Sequence, residues 1–254
     1  MSRVADLKVR STANADLAAL RVDLAAAFRF AAAFDWHESV LNHFSLAVSD
    51  DGGKFLVNPR WKHFSEICAS DLLLVDSGDA QTMARADAPD LSAWFIHGRI
   101  HARLPRARCV LHLHPPYATA LSTLADPRIP PIDQVTAQFF NRIAIDHHYA
   151  VVEDQAEGDR IATALGSHNA MIMSSHGVLV IADTVALAFE RLYYLERAAR
   201  TLMLAYASGQ PLKILPDHLA EAIAHSWENY GDTASAHFGH LQRQLDATDP
   251  SYRN

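Results

Sequence analysis

Residues 169–183 read NAMIMSSHGVLVIAD. Two apolar runs of strand length lie on either side of SHG, a connection so short that the strands must be antiparallel neighbours. A second hairpin-like pair occupies 44–59, where FSLAVSD and KFLVNP flank DDGG and Asp51 to Gly53 supply the loop chemistry. These pairs predict a mostly antiparallel or mixed sheet covered by helices.

Other segments fill in around them. DLLLVDSGD (71–79) reads as a third short strand, CVLHLH (109–114) as another closed by Pro115 and Pro116, and RIAID (142–146) as one more. Helical spacing begins at Asn14, with Asn14 or Asp16 as the cap, and recurs over 90–104, with Asp90 near its start and Pro105 just past its end. Further helices are predicted at 117–124, 131–141 and 154–166. A long one is capped by Asp183 or Thr184 and runs to about Ala207, and two more cover 216–229 and 233–245. Strands and helices do not alternate strictly, and no glycine-rich phosphate fingerprint or P-loop follows a predicted strand. A doubly wound nucleotide-binding fold is therefore not expected.

Half of the 254 residues are hydrophobic, enough to bury a substantial core. No linker, low-complexity tract or repeat divides the chain, so one domain over 1–254 is expected, with polar residues 1–12 frayed. The net charge of −7 argues against nucleic-acid or anionic-membrane partners, which call for a basic face. Cys68 and Cys109 are the two cysteines and Cys109 sits in an apolar run, which fits a reducing compartment better than a disulfide framework. With no signal-peptide core at the N-terminus and no segment apolar enough to span a bilayer, a cytoplasmic location is expected.

Chemistry centres on the histidines. In a strand, His112 and His114 share a face while Leu111 and Leu113 turn to the other. Two imidazoles so placed can grip one divalent ion, or they can simply hydrogen-bond to backbone at a strand rim. His176, followed by Gly177 in a tight turn, offers a third imidazole at a strand end, and three histidines with open positions are what a catalytic metal needs. His97 and His101 share a helical face, but neighbouring Trp94, Phe95, Ile96 and Ile100 point to packing. The cluster of His225, Trp227, Tyr230, His237 and His240 reads as packing or subunit contact, and Cys109 as core.

Through these residues the chain resembles the class II aldolase/adducin head-domain family. The likeness runs through LNHFSLAV (41–48), FLVNPRWKHFSEICASDLLLVD (55–76), IHGRIHARLPRARCVLHLHPP (96–116), SSHGVLV (174–180) and YYLERAARTLMLA (193–205). It implies a three-layer α/β fold with a central, mainly antiparallel sheet. It implies that His112, His114 and His176 bind one divalent metal, zinc first, with manganese, iron or cobalt as alternatives. It also implies a homotetramer with sites at subunit interfaces.

The departures from the family bear on substrate. The resemblance puts the family's acidic residue at Ala93, its GN turn at Asn42–His43 and its PSG loop at Pro59–Arg60–Trp61. Losing glycine removes the close backbone approach that phosphate oxygens exploit, whereas Arg60 offers a fork suited to a carboxylate. Trp61, His63 and Phe64 would line a flatter, more apolar pocket. The expectation is a metal-dependent lyase that cleaves a C–C bond of a small, oxygenated, carboxylated but non-phosphorylated substrate, by retro-aldol reaction or decarboxylation through a metal-stabilised enolate. Asn42, His43 and Arg60 would bind that substrate. Tyr117 and Asp133 are the candidates for acid/base work. The competing readings are a non-catalytic adducin-like scaffold and a sugar epimerase.

Overall fold

The computed structural model describes residues 2–254 except Ala80 and Gly231, with side chains from Asp16 onward. Helix α1 runs Ser2–Ala33, so Asn14 and Asp16 lie inside it rather than capping it. The side chains on which fraying of 1–12 would turn lie outside the described residues. Strands β1 (His43–Ala47) and β2 (Lys54–Val57) form the expected antiparallel pair, and β3 (Leu73–Asp76) adds to β2. Helix α2 (Leu91–Arg103) leads to β4 (Cys109–Leu113), followed by α3 (Pro116–Ser122). The helix expected at 131–141 shrinks to one turn, α4 (Gln134–Ala137), because Pro130 and Pro131 precede it and Asn141 has a left-handed φ of 54°.

Then come β5 (Ala144–Asp146), α5 (Gln155–Leu165), β6 (Ala170–Met173) and β7 (Gly177–Ala182). Helix α6 (Val185–Ala207) is capped by Thr184, whose side chain accepts from Leu187 N–H, and α7 (Asp217–Glu228) and α8 (Thr233–Thr248) finish the helical part. Among the described residues no helix is long and apolar enough to cross a membrane.

The sheet has the order β3-β2-β1-β4-β7-β6-β5, antiparallel throughout except for the parallel β5–β6 pair. Strand parity sorts the residues into layers. Phe44, Leu46, Leu111, Leu113, Ile172 and Val180 face a large core with α1 and α6, where Phe28 stacks on Phe44 at 4.6 Å between ring centroids. On the other face, Val110, Leu179 and Ile181 meet Ile96 and Ile100 of α2 and Ile161 and Leu165 of α5. Covered on both sides, β4, β6 and β7 are buried along their whole length, which explains why they read as apolar runs rather than alternating ones. The result is a three-layer α/β fold. Cys68 and Cys109 are free thiols. Of the C-terminal cluster, Trp227 meets Tyr194 edge-on at 4.8 Å and His237 pairs with Glu190 at 2.5 Å, whereas Tyr230 is 65% exposed.

Candidate metal centre

His112 lies on the α2 face of β4, directly opposite His43 in the β1–β4 ladder. Its Nδ1–H donates to the Val178 carbonyl at 3.0 Å, which fixes the tautomer and leaves Nε2 as the lone-pair nitrogen. His114 follows the strand end, and its Nδ1 is 2.5 Å from Glu38 Oε2. Its Nε2 is buried and has no hydrogen-bond partner among the described residues. A buried polar atom without a partner is costly unless something fills the place in front of it.

His176 comes from the β6–β7 turn, where Ser175 takes the left-handed conformation at φ 55°. The sequence assigned that turn to Gly177, but the glycine has a different task. A Cβ there would overlap the His114 ring and lie 2.7 Å from the Leu113 carbonyl. Gly177→Ala is therefore expected to push the His114 ring aside and weaken zinc binding at least tenfold, as read by calorimetric titration. Unchanged affinity would show that the ring's position does not matter.

One ligand nitrogen from each of the three histidines lies within 4.8 Å of the others. Zn–N bonds of about 2.0–2.1 Å meeting at tetrahedral angles put the nitrogens about 3.4 Å apart, so an ion would draw the rings inward. Burial pushes His176 down to about 4, and the neighbouring His114 adds repulsion. Burial also holds His112 well below the usual imidazole range, with His176, His43 and His114 contributing. Neutral imidazole is the form that ligates metal.

The triad opens on a cavity of about 230 Å³, whose wall includes Asn42, His43, Arg60, Asp90 and Ser92. Asn42 stands at φ 73°, a conformation asparagine tolerates, and accepts from Glu38 N–H at 2.9 Å. His43 borders the cavity with both ring nitrogens engaged, Nε2 with Ser92 Oγ at 3.1 Å and Nδ1 with His97 Nε2 at 2.6 Å. Burial pushes His43 down to about 4 against the pull of Asp90. Trp61 reaches the mouth with φ 66°, an uncommon backbone for so bulky a residue, and is 62% exposed.

Other expected residues fall elsewhere. Phe64 is buried against Phe28 and Phe44, and His63 pairs with His37 at 2.7 Å, so neither lines the cavity. Tyr117 lies outside it in this chain: its N–H donates to Glu196, and its ring stands 5.5 Å from the Arg200 guanidinium. Asp133 is likewise outside, capping α4 through Thr136 N–H at 2.7 Å. Ala93 packs with Phe55 and Val57 rather than facing the cavity.

A carboxylate does stand in the wall, three residues earlier. Asp90 caps α2 by accepting from Ser92 N–H at 2.9 Å. Sequence reasoning placed Asp90 only at the start of the helix and missed Ser92 in the wall, and Ser45 lies buried behind that wall against His97 and His101. The available signal was the shared face of His43 and Ser45 on β1, turned toward the shared face of His97 and His101 on α2.

The model of the family described as Class II Aldolase and Adducin N-terminal domain matches residues 22–203. An aldolase II superfamily protein from Pseudomonas syringae is similar at TM-score 0.83 and 30% identity, over 93% of this chain and 96% of that one. L-fuculose 1-phosphate aldolase from Glaciozyma antarctica is similar at TM-score 0.80 and 25% identity, over 95% and 94%. The decarboxylase NovR of Streptomyces niveus is 30% identical over 171 residues, which is 67% of this chain and 63% of that protein.

Proposed function

Since this chain belongs to the class II aldolase and adducin N-terminal domain family, we propose that it is a divalent-metal-dependent lyase cleaving a C–C bond in a small, carboxylated, non-phosphorylated substrate. The observation that carries this reading is the convergence of His112, His114 and His176 on one cavity, with the buried His114 Nε2 left without a partner among the described residues. An ion held by the three imidazoles would supply Lewis acidity toward a substrate oxygen.

The chain's own residues account for the rest. Val178 and Glu38 orient His112 and His114 from behind, as outer partners of ligating histidines do. Arg60, in the cavity wall and without an ion pair among the described residues, offers a two-pronged donor to a carboxylate. The α2 N-terminus is a poor phosphate cradle, because Asp90 already accepts its Ser92 N–H. A volume of about 230 Å³ suits a substrate of a few carbons. The exposed Trp61, Tyr149 and Val151 around the mouth suit cover by a second copy, in keeping with a homotetramer.

Elemental analysis of the purified protein, combined with lyase assays on small hydroxy and keto acids before and after chelation, tests the proposal. One zinc or manganese per chain and activity restored by that ion are expected. A metal-free protein with no affinity for either ion would favour an adducin-like scaffold instead.

A further inference from the structure

At the far end of the β6–β7 hairpin from the metal centre lies a separate cavity of about 340 Å³, bounded by the start of β6, by α6 and α7 and by the start of α8. Strand β7 follows the His176 turn and leads into α6, and its six residues put about 17 Å between the two ends. Gln138, Asn169 and Arg191 stand in the cavity wall, and Phe139, Leu187, Tyr194 and Trp227 supply its apolar side.

The backbone brings Arg191 and Asn169 together. Ile181 N–H donates to the Asn169 carbonyl at 2.9 Å, and the Ile181 carbonyl accepts from Arg191 Nη1. That is the one hydrogen bond Arg191 makes among the described residues, although a guanidinium carries five N–H donors. Arg191 also has no ion pair among them. Burial pushes it down to about 10, with Asp183 pulling the other way from beyond ion-pair distance. A cation withdrawn from water without an anion beside it is costly. The other charged side chains of the wall have partners: Glu190 meets His237 at 2.5 Å, and Arg142 meets Glu221 at 2.5 Å and Glu228 at 3.1 Å.

Two amides complete the polar side. Arg106 Nε–H donates to Asn169 Oδ1 at 3.2 Å, which fixes that amide and leaves Asn169 Nδ2, without a partner among the described residues, as a further donor. Gln138 Oε1 is buried and likewise has no partner among them. A hydroxyl suits the Gln138 amide whichever way it is turned, because a hydroxyl both donates and accepts.

We propose that this cavity is a second binding site, distinct from the metal centre, for a small hydroxy carboxylate with an apolar body. The carboxylate lies on the free fork of Arg191 and on Asn169 Nδ2–H, where two parallel N–H···O bonds give it direction as well as strength. The hydroxyl meets Gln138. The body rests on Tyr194 and Trp227, which stand edge-on at 4.8 Å. The ligand thus brings the one anion that the wall does not supply.

The test uses 3-phenyllactate, which has one carboxylate, one hydroxyl and an aromatic body, on the metal-loaded protein labelled with ¹⁵N in its tryptophans. The Trp227 indole N–H, identified with a Trp227→Phe variant, should shift and saturate at one ligand per chain. Affinity should fall at least tenfold in Arg191→Gln, since a hydrogen bond to a charged group is worth about that much or more. It should fall as far in Asn169→Asp, which keeps the bond from Arg106 but turns a carboxylate on the ligand; if Arg191→Gln does not fold, Asn169→Asp alone decides. The uncharged 3-phenylpropane-1,2-diol should leave Trp227 unmoved. Silence at Trp227 up to roughly 10 mM 3-phenyllactate overturns the site. So does an equal shift with the diol or undiminished affinity in Arg191→Gln, either of which means an apolar hollow that does not read the anion. A shift confined to Trp61, which lines the metal cavity, puts the ligand there instead and overturns the proposal as well.

Discussion

Replacing His112 with alanine is expected to weaken binding of zinc or manganese about a thousandfold and to abolish measurable lyase turnover. A structural zinc site gathers roughly 10–16 kcal/mol from four ligands, so each contributes on the order of 3–4 kcal/mol, or two to three powers of ten in affinity. His112 belongs at the upper end because its Nδ1–H is anchored on the Val178 carbonyl, so the ring is already oriented before any ion arrives. Glu38→Gln gives the internal scale. Glu38 touches His114 rather than the cavity centre, and loss of such an outer partner costs about 10–100-fold. Calorimetric titration should therefore rank His112→Ala well below Glu38→Gln, with wild type tightest. If His112→Ala binds zinc as tightly as wild type, the triad is not the metal site.

Most of the architecture could be read from short-range pattern. The 44–59 and 169–182 pairs, the strand ending at the double proline and the caps at Asp90 and Thr184 all depend on neighbours within a few residues, where turn chemistry and periodicity act. The HxH spacing likewise put His112 and His114 on one rim, and His176 joins them through the antiparallel β4–β7 ladder.

What the sequence hid is long-range. His101 reaches Ser45 across 56 residues, and nothing local to either says that they meet. Gly177 illustrates the same limit: it looked like a turn residue, but the constraint on it is the His114 ring, contributed by another strand. The start of α1 was misplaced because Asn14 and Asp16 are good caps by type, yet the helix continues through them. The resemblance puts the family's acid at Ala93, whose methyl group packs into the apolar cluster with Phe55 and Val57, while the carboxylate in the cavity wall belongs to the helix cap. Only the fold shows that the cap and the cavity coincide.

Acid is the second strong lever. The protein is expected to lose stability steeply between pH 6.5 and pH 4 and to unfold within that window. His101 has a folded value near 4 against an ordinary 6.5, so the unfolded chain takes up the proton first. Its contribution is therefore intact above pH 6.5 and is lost as the pH falls toward 4. The interval corresponds to roughly 3 kcal/mol for this one ring. His97 is held down by the same burial, and His43 reaches about 4 as well. Together they approach the roughly 5–15 kcal/mol that holds a domain folded.

His101→Phe separates this from general acid sensitivity. At pH 7 the variant should be less stable by about 1–3 kcal/mol, because Ser45 Oγ and the Ala107 carbonyl each lose a buried partner. It should nevertheless lose less stability on acidification, with a slope about 1.4 kcal/mol per pH unit shallower than wild type. Urea titrations at pH 7, 6, 5.5 and 5 on both proteins measure the difference. Taking that difference isolates His101 whatever the metal-site imidazoles contribute. Parallel slopes would mean that the ring takes up its proton without unfolding the chain, and that burial does not hold it neutral.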